Sequence, residues 1–292
     1  MCRFFYFRVS VSVSYNWLNL PHNRCMDKIS GKKTAVVVGG SSGIGYETCL
    51  RLVNRGWSVV NISRTPCNIA KVINFAADAA AGSALSDAIA KAAEKYDIAA
   101  LVYSAGFSMA APIEYAEEKD YRYLFDVNFF GALQSMQAVI PLFKNKGGRI
   151  VLVGSLGGDV PISFDCFYSS SKAALEMLAR AAYCELKPYG IRVTGLLPGG
   201  TATNFTKKRK VYSDEENKSY AGGVNRAVAA LANMEQSGMS PAAVAEIIYN
   251  LLISEKPPVI KTCGVKNTVL RLATRIMPEK ITLKINERTF NQ

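Results

Sequence analysis

From Lys33 onward the chain alternates two patterns. Apolar, often β-branched runs read as strands buried on both faces: Thr34–Val38, Ser58–Ile62, Val72–Phe75, Ile98–Tyr103, Arg149–Val153, Ile191–Leu197 and a short one near Val259–Thr262. Between them lie stretches with helical spacing. Gly43 to Arg55 carries Ile44, Thr48 and Leu52 on one side. Ser83–Lys95 is Ala-rich, Asp120–Phe143 is long, Ser169–Lys187 is closed by Pro188 and Gly190, and 241–253 follows. This alternation with short connections predicts an α/β domain, a doubly wound parallel sheet of about seven strands with helices on both faces.

Three stretches fall outside the rhythm. Residues 1–25 mix aromatic, Arg and alternating Val/Ser positions, matching neither a secretory signal nor a span, and Met26 precedes an ordinary domain opening. They read as a dispensable extension, leaving 26–263 as a single domain. About 200–240 is polar, with a Lys-Lys-Arg-Lys run at 207–210, and reads as a lid over the site. The tail, 264–292, is amphipathic, with Val269, Leu272 and Ile276 on one helical stripe and a break at Pro278. The expectation is that this stripe docks onto its own domain; lying on an anionic membrane is the alternative.

Charge sharpens this division. Of the net +12, +5 falls in residues 1–33, +1 in 34–204 and +6 in 205–292, so the body is nearly neutral. Solvated basic ends need no nucleic acid, and none is expected as a partner. The seven Cys form no CxxC and no zinc pattern, which reads as reduced thiols in a cytoplasmic protein without a metal. The only His, His22, lies in the extension, which excludes His-based triads in the domain.

The chemistry starts where the first strand ends. Gly39-Gly40-Ser41-Ser42-Gly43-Ile44-Gly45 runs straight into a helix, where glycines let the backbone approach a pyrophosphate and the helix N-terminus offers free N–H donors. The second strand ends in Ser63-Arg64, where a carboxylate would select an unphosphorylated ribose. A guanidinium favours a 2′-phosphate, so NADP(H) is preferred, with NAD(H) the alternative. Tyr168 and Lys172 are spaced i,i+4, sharing a helix face, and Ser155 sits just past a buried strand. A nearby ammonium lowers a phenol's pKa, so Tyr168 can exchange a proton with a carbonyl or alcohol oxygen.

Together these motifs make the chain resemble the short-chain dehydrogenase/reductase family over about residues 33–262. The resemblance implies a Rossmann-type fold and an oxidoreductase acting on CH–OH and C=O groups. Asp78 resembles the family's adenine-side Asp, Ser104-Ala105-Gly106 the second half of its Asn-Asn-Ala-Gly element, and Asn128 its helix Asn. Pro198, Gly199, Thr201 and Thr203 resemble its nicotinamide-end segment. Asn128, Ser155, Tyr168 and Lys172 are thereby implied as catalytic. The resemblance also implies that Lys172 binds the ribose and, with Asn128, would relay a proton to Tyr168 through water. A homodimer or homotetramer through about 120–143 and 169–187 is also implied. Val38 and Tyr103 depart from the pattern, standing where many members have Thr and Asn. Phe107, Met109, Phe164, Cys166 and Phe167 suggest an apolar site and a lipophilic substrate, a steroid, fatty or aromatic carbonyl compound. The competing reading is a catalytically silent nucleotide sensor or scaffold on the same fold.

Overall fold

A computed structural model describes residues 33–212, 218–220 and 222–290. The proposed extension, with His22, lies outside the described residues.

Seven strands form one parallel sheet. They are β1 (Thr34–Val38), β2 (Ser58–Ser63), β3 (Val72–Ala76), β4 (Ile98–Tyr103), β6 (Gly148–Val153), β7 (Ile191–Leu197) and β9 (Ile260–Thr262), in the order β3-β2-β1-β4-β6-β7-β9. Strand alternation explains why these runs are apolar throughout. In β1, Val36 and Val38 enter one core while Ala35 and Val37 enter the other. The first core lies under α2 (Gly82–Lys95), α4 (Gly131–Phe143) and α5 (Cys166–Leu186); the second lies under α1 (Gly43–Asn54) and α7 (Pro241–Ile253). The chain leaves β1 toward one edge and, from β4 on, toward the other. The carboxyl ends of β1 and β4 therefore flank the crevice where such sheets hold ligands.

The long helix expected over Asp120–Phe143 is two helices joined out of phase. α3 (Glu118–Phe125) passes through a π-helical turn, Asp126–Phe130, into α4. Tyr103, the departure noted above, is fully buried at the end of β4, and its hydroxyl donates to the Val127 carbonyl inside that turn. Position 131 must be Gly, because a Cβ there would run into the Tyr103 hydroxyl and the Ala79 carbonyl.

The lid holds structure that the polar pattern hid. A two-stranded parallel ribbon, β5 (Met109–Ala110) with β8 (Lys210–Val211), ties it to the segment after β4, and α6 (Gly223–Gln236) follows. Tyr212 anchors it, donating to Asp120 Oδ2 at 2.5 Å and accepting from the Glu117 amide.

The tail forms α8 (Val265–Ile276) and α9 (Glu279–Phe290), separated at Pro278. Here the structure overturns an expectation. The stripe Val265, Val269, Leu272 and Ile276 does not dock: these side chains are 82%, 61%, 59% and 75% exposed. The polar face docks instead. Arg271 pairs with Asp159 and, at 2.5 Å, with Glu176, and Arg275 lies 3.5 Å from Asp159. α9 is held by Phe290, packed with Ala227 and Leu231 of α6, and by Asn286, which donates to the Pro161 carbonyl. Among the described residues no helix is long and apolar enough to cross a membrane.

Candidate active site

The crevice at the β1/β4 switch opens into a cavity of about 940 Å³. One end is the glycine loop. Gly39 adopts φ +85°, closed to most side chains, and a Cβ there would stand 2.7 Å from the Ala105 amide nitrogen. Ser42 precedes α1 in extended conformation without capping it by its side chain, so the first N–H groups of the helix remain for a ligand. Asn61, buried in β2, is a support that sequence reading missed. It accepts from the Gly40 amide at 2.9 Å and donates to Asn74 and Ser63. A lone amide inside the apolar run Ser58–Ser63 was the available signal.

Along the cavity wall Arg64 is 69% exposed, donates to the Tyr123 hydroxyl at 3.0 Å and lies 3.9 Å from Asp78. Tyr123 in turn donates to Asp78 at 3.1 Å. Gly39, Ser41, Ser42, Gly43, Ile44, Ser63, Arg64, Asp78, Ser104, Ala105 and Gly106 all line the cavity, as do Pro198, Gly199, Thr201 and Thr203. Gly45 does not; it packs behind the loop against Gly39, where no Cβ would fit.

At the other end sit Ser155, Tyr168 and Lys172. α5 starts at Cys166, three residues earlier than the pattern indicated, so Tyr168 and Lys172 do lie on one helix face. Lys172 is buried and donates to the Val153 carbonyl at 3.0 Å; its ammonium is 5.7 Å from the centre of the Tyr168 ring. Burial pulls the Lys172 pKa down to about 8. Burial likewise raises the Tyr168 phenol above its ordinary value, and Ser155 opposes this by hydrogen bonding. The lowering expected from Lys172 does not occur: the groups opposing burial are Ser155 and Arg209, and the phenol is protonated near neutrality, as a proton donor must be. Ser155 accepts from the Gly157 amide at 3.0 Å, which fixes its hydroxyl.

Asn128 stands behind this group, fully buried in the π-helical turn. Its amide donates to the Phe107 carbonyl and the Ser171 hydroxyl, and its oxygen accepts from the Phe107 amide. A Cβ at Gly106 would lie 3.0 Å from Asn128 Oδ1 and 3.2 Å from Lys172 Nζ. That small gap joins the two.

The lid supplies residues that the sequence reading passed over as a solvated basic run. Lys208 donates to Ser42 Oγ at 3.0 Å, across the glycine loop. Arg209 turns inward, its side chain 1% exposed, donating to Ser108 at 2.8 Å and pairing with Glu235 at 2.6 Å. Ser108 donates to Asp165, whose carboxyl burial pushes up to about 7. Phe205 packs on Tyr168, ring centres 5.8 Å apart. The apolar lining is also reassigned. Of the five residues expected there only Phe107 lines the cavity. Met109, Phe164, Cys166 and Phe167 do not, and Met109 is buried core, with Phe167 packed against the same cluster. The lining comes from Leu156, Ile162, Leu231, Met234, Leu270 and Phe290.

A phosphate cradle at one end and a phenol–ammonium pair at the other define a nucleotide-dependent oxidoreductase site. Comparison with known proteins agrees: the profile of the short chain dehydrogenase family matches residues 33–213, and the chain belongs to that family. A Helicobacter pylori protein described as a probable short-chain type dehydrogenase/reductase is 31% identical over 252 residues, covering 84% of this chain and 93% of its own. The 3-ketodihydrosphingosine reductase of Bacteroides thetaiotaomicron is 30% identical, covering 76% and 84%. A short-chain dehydrogenase structure from Streptomyces avermitilis superposes with a TM-score of 0.74 at 26% identity, covering 88% and 96%. The chain is therefore an oxidoreductase of the family acting on CH–OH and C=O groups with NAD(P).

Proposed function

We propose that the chain is an NADP(H)-dependent reductase of a lipophilic ketone. The observation that carries this reading is the convergence of Ser155, Tyr168 and Lys172 at the end of a cavity whose far end is the glycine loop. The cradle fits a dinucleotide: a side chain at Gly39 would fill the space beside Ala105, and the α1 N-terminus is uncapped. Gly39, Ser41, Ser42, Gly43 and Ile44 would hold the pyrophosphate, Asp78 the adenine side, and Thr201 and Thr203 the nicotinamide end. Bound there, the cofactor supplies the hydride. Arg64 supports the choice of a 2′-phosphate, because no carboxylate ends β2.

In the reductive direction Ser155 and Tyr168 bind the carbonyl oxygen, orient the carbon and exclude water. Tyr168 donates its proton as charge develops on that oxygen. Lys172, with a pKa of about 8, passes a proton back toward Tyr168, and Asn128 holds the water through which it moves. The lining of Leu156, Leu231, Met234 and Phe290 supports a lipophilic substrate, as does the relative that acts on 3-ketodihydrosphingosine. Pairing of two copies through about 120–143 and 169–187 belongs to the same reading, supported by exposed Phe130 and Met177.

The test is a panel of ketones and secondary alcohols followed at the NADPH absorbance band, with NADH in parallel, on wild type and Tyr168→Phe. Loss of general acid catalysis lowers kcat by about 10²–10⁴-fold while NADPH affinity stays within about twofold. Turnover retained by Tyr168→Phe removes it from the acid role.

A further inference from the structure

The inverted orientation of α8 calls for an occupant of its outer face. A helix that packs on its own domain turns its apolar stripe inward. α8 does the opposite: Arg271 and Arg275 engage Asp159 and Glu176, and Val265, Val269, Leu272 and Ile276 face out. α9 also leaves apolar side chains outside. Ile281, Leu283 and Ile285 are each about half exposed, while Asn286 and Phe290 point inward. Beside the apolar stripe of α9 runs a basic one, Lys280, Lys284 and Arg288, one turn apart. The tail from 264 carries six basic residues and two acidic ones.

Two further observations choose among occupants. A second copy apposed by a two-fold axis would set this basic stripe against itself, which disfavours an isologous contact. The same two helices also wall the cavity. Leu270 and Thr274 of α8, with Ile285 and Phe290 of α9, line it, and Leu270 and Ile285 are in addition 45% and 51% exposed. The cavity thus reaches the apolar face through residues shared by both. An apolar helix surface edged with Lys and Arg fits the boundary between anionic headgroups and acyl chains.

We propose that α8 and α9 lie on an anionic lipid surface, apolar face down, and that the reactive cavity opens toward the bilayer. The docking stands on the helices alone. The consequence for turnover, that a lipophilic ketone enters from the membrane, rests on the reductase reading above.

The test uses the full chain and sedimentation with vesicles of phosphatidylcholine alone or mixed with phosphatidylglycerol. Wild type pellets with the mixed vesicles and releases at high salt. The variant V265S/V269S/L272S/I276S, altered only at exposed positions outside the cavity wall, binds about tenfold or more weakly. Lys280→Gln and Lys284→Gln each lower binding about fivefold on mixed vesicles only. All variants keep wild-type turnover of a short, water-soluble ketone, while turnover of a long-chain ketone presented in vesicles falls in step with binding. Wild type that stays in the supernatant overturns the proposal. So do stripe variants that pellet like wild type, which would assign binding to another segment such as residues 1–32. A stripe variant that instead halves the particle mass in light scattering identifies a second copy as the occupant. If no ketone is turned over while the pelleting pattern holds, the reductase reading fails and the docking stands.

Discussion

The sheet body, which includes α7 and β9, and the lid and tail, 200–240 and 264–290, are held differently. In the body the buried positions are mostly apolar, as in β1 and α7, with Lys172 and Asp165 as exceptions at the site. In the lid and tail cations go inward. Arg209 is buried against Glu235 and Ser108, Arg271 against Asp159 and Glu176, and the tail leaves apolar stripes outside. A core built by area loses stability in proportion to the area and cavity a change leaves, whereas a region held by a few charge pairs loses it when one partner goes. The body can therefore serve as a fixed floor while lid and tail are adjusted separately.

The largest expected effect tests that division. Arg271→Ala leaves Asp159 to Arg275 and Glu176 to Arg180 and Arg275, at a cost of about 2 kcal/mol for the charge-assisted bonds lost. The loss should be local: amide exchange should quicken across 265–276 while β1, β4 and β6 keep their protection. Uniform acceleration would dissolve the distinction between floor and cover. Arg64→Ala probes the body's own edge. Losing a charge-assisted bond to a 2′-phosphate should raise the NADPH KM about 10–30-fold and leave NADH within about twofold, because the rest of the cradle is backbone. Equal changes for both cofactors would show that Arg64 does not read the phosphate. The smallest effect lies at the seam. Asp165 has a folded-state pKa of about 7, raised by burial, so the folded protein holds a proton that the unfolded chain releases above about pH 4. Its favourable contribution is complete below that value and is lost as pH rises through 7. In thermal melts, wild type should lose on the order of 1 kcal/mol relative to Asp165→Asn between pH 6 and 8. Parallel profiles would place the titration elsewhere.

What could be read from the chain follows the same line. Strands were legible because burial on both faces leaves uninterrupted apolar runs, and the glycine loop because its chemistry is local. Tyr168 and Lys172 were legible because one helical turn brings them together. Residues whose role depends on distant partners were not. Tyr103 looked like a flaw in a motif until its hydroxyl met Val127, twenty-four positions on. Arg209 lay hidden in a run of four cations that the fold sends different ways, Lys208 to Ser42, Arg209 to Glu235 and Lys210 to Asp120. Met109 and Phe167 looked like site lining by proximity in sequence, and packing made them core. The stripe of α8 gave the correct period and the wrong side, because periodicity does not say which face a domain will accept.

Because the π-helical turn adds one residue to a turn, the segments on either side of it are rotated by about 100° relative to an uninterrupted helix. α3 is thus free to pack on α5 while α4 packs on α2, each with its own register. A single deletion between 126 and 130 would restore a regular spiral, exchange both packing faces and carry Asn128 away from Lys172. Length variation should accordingly be purged within this turn.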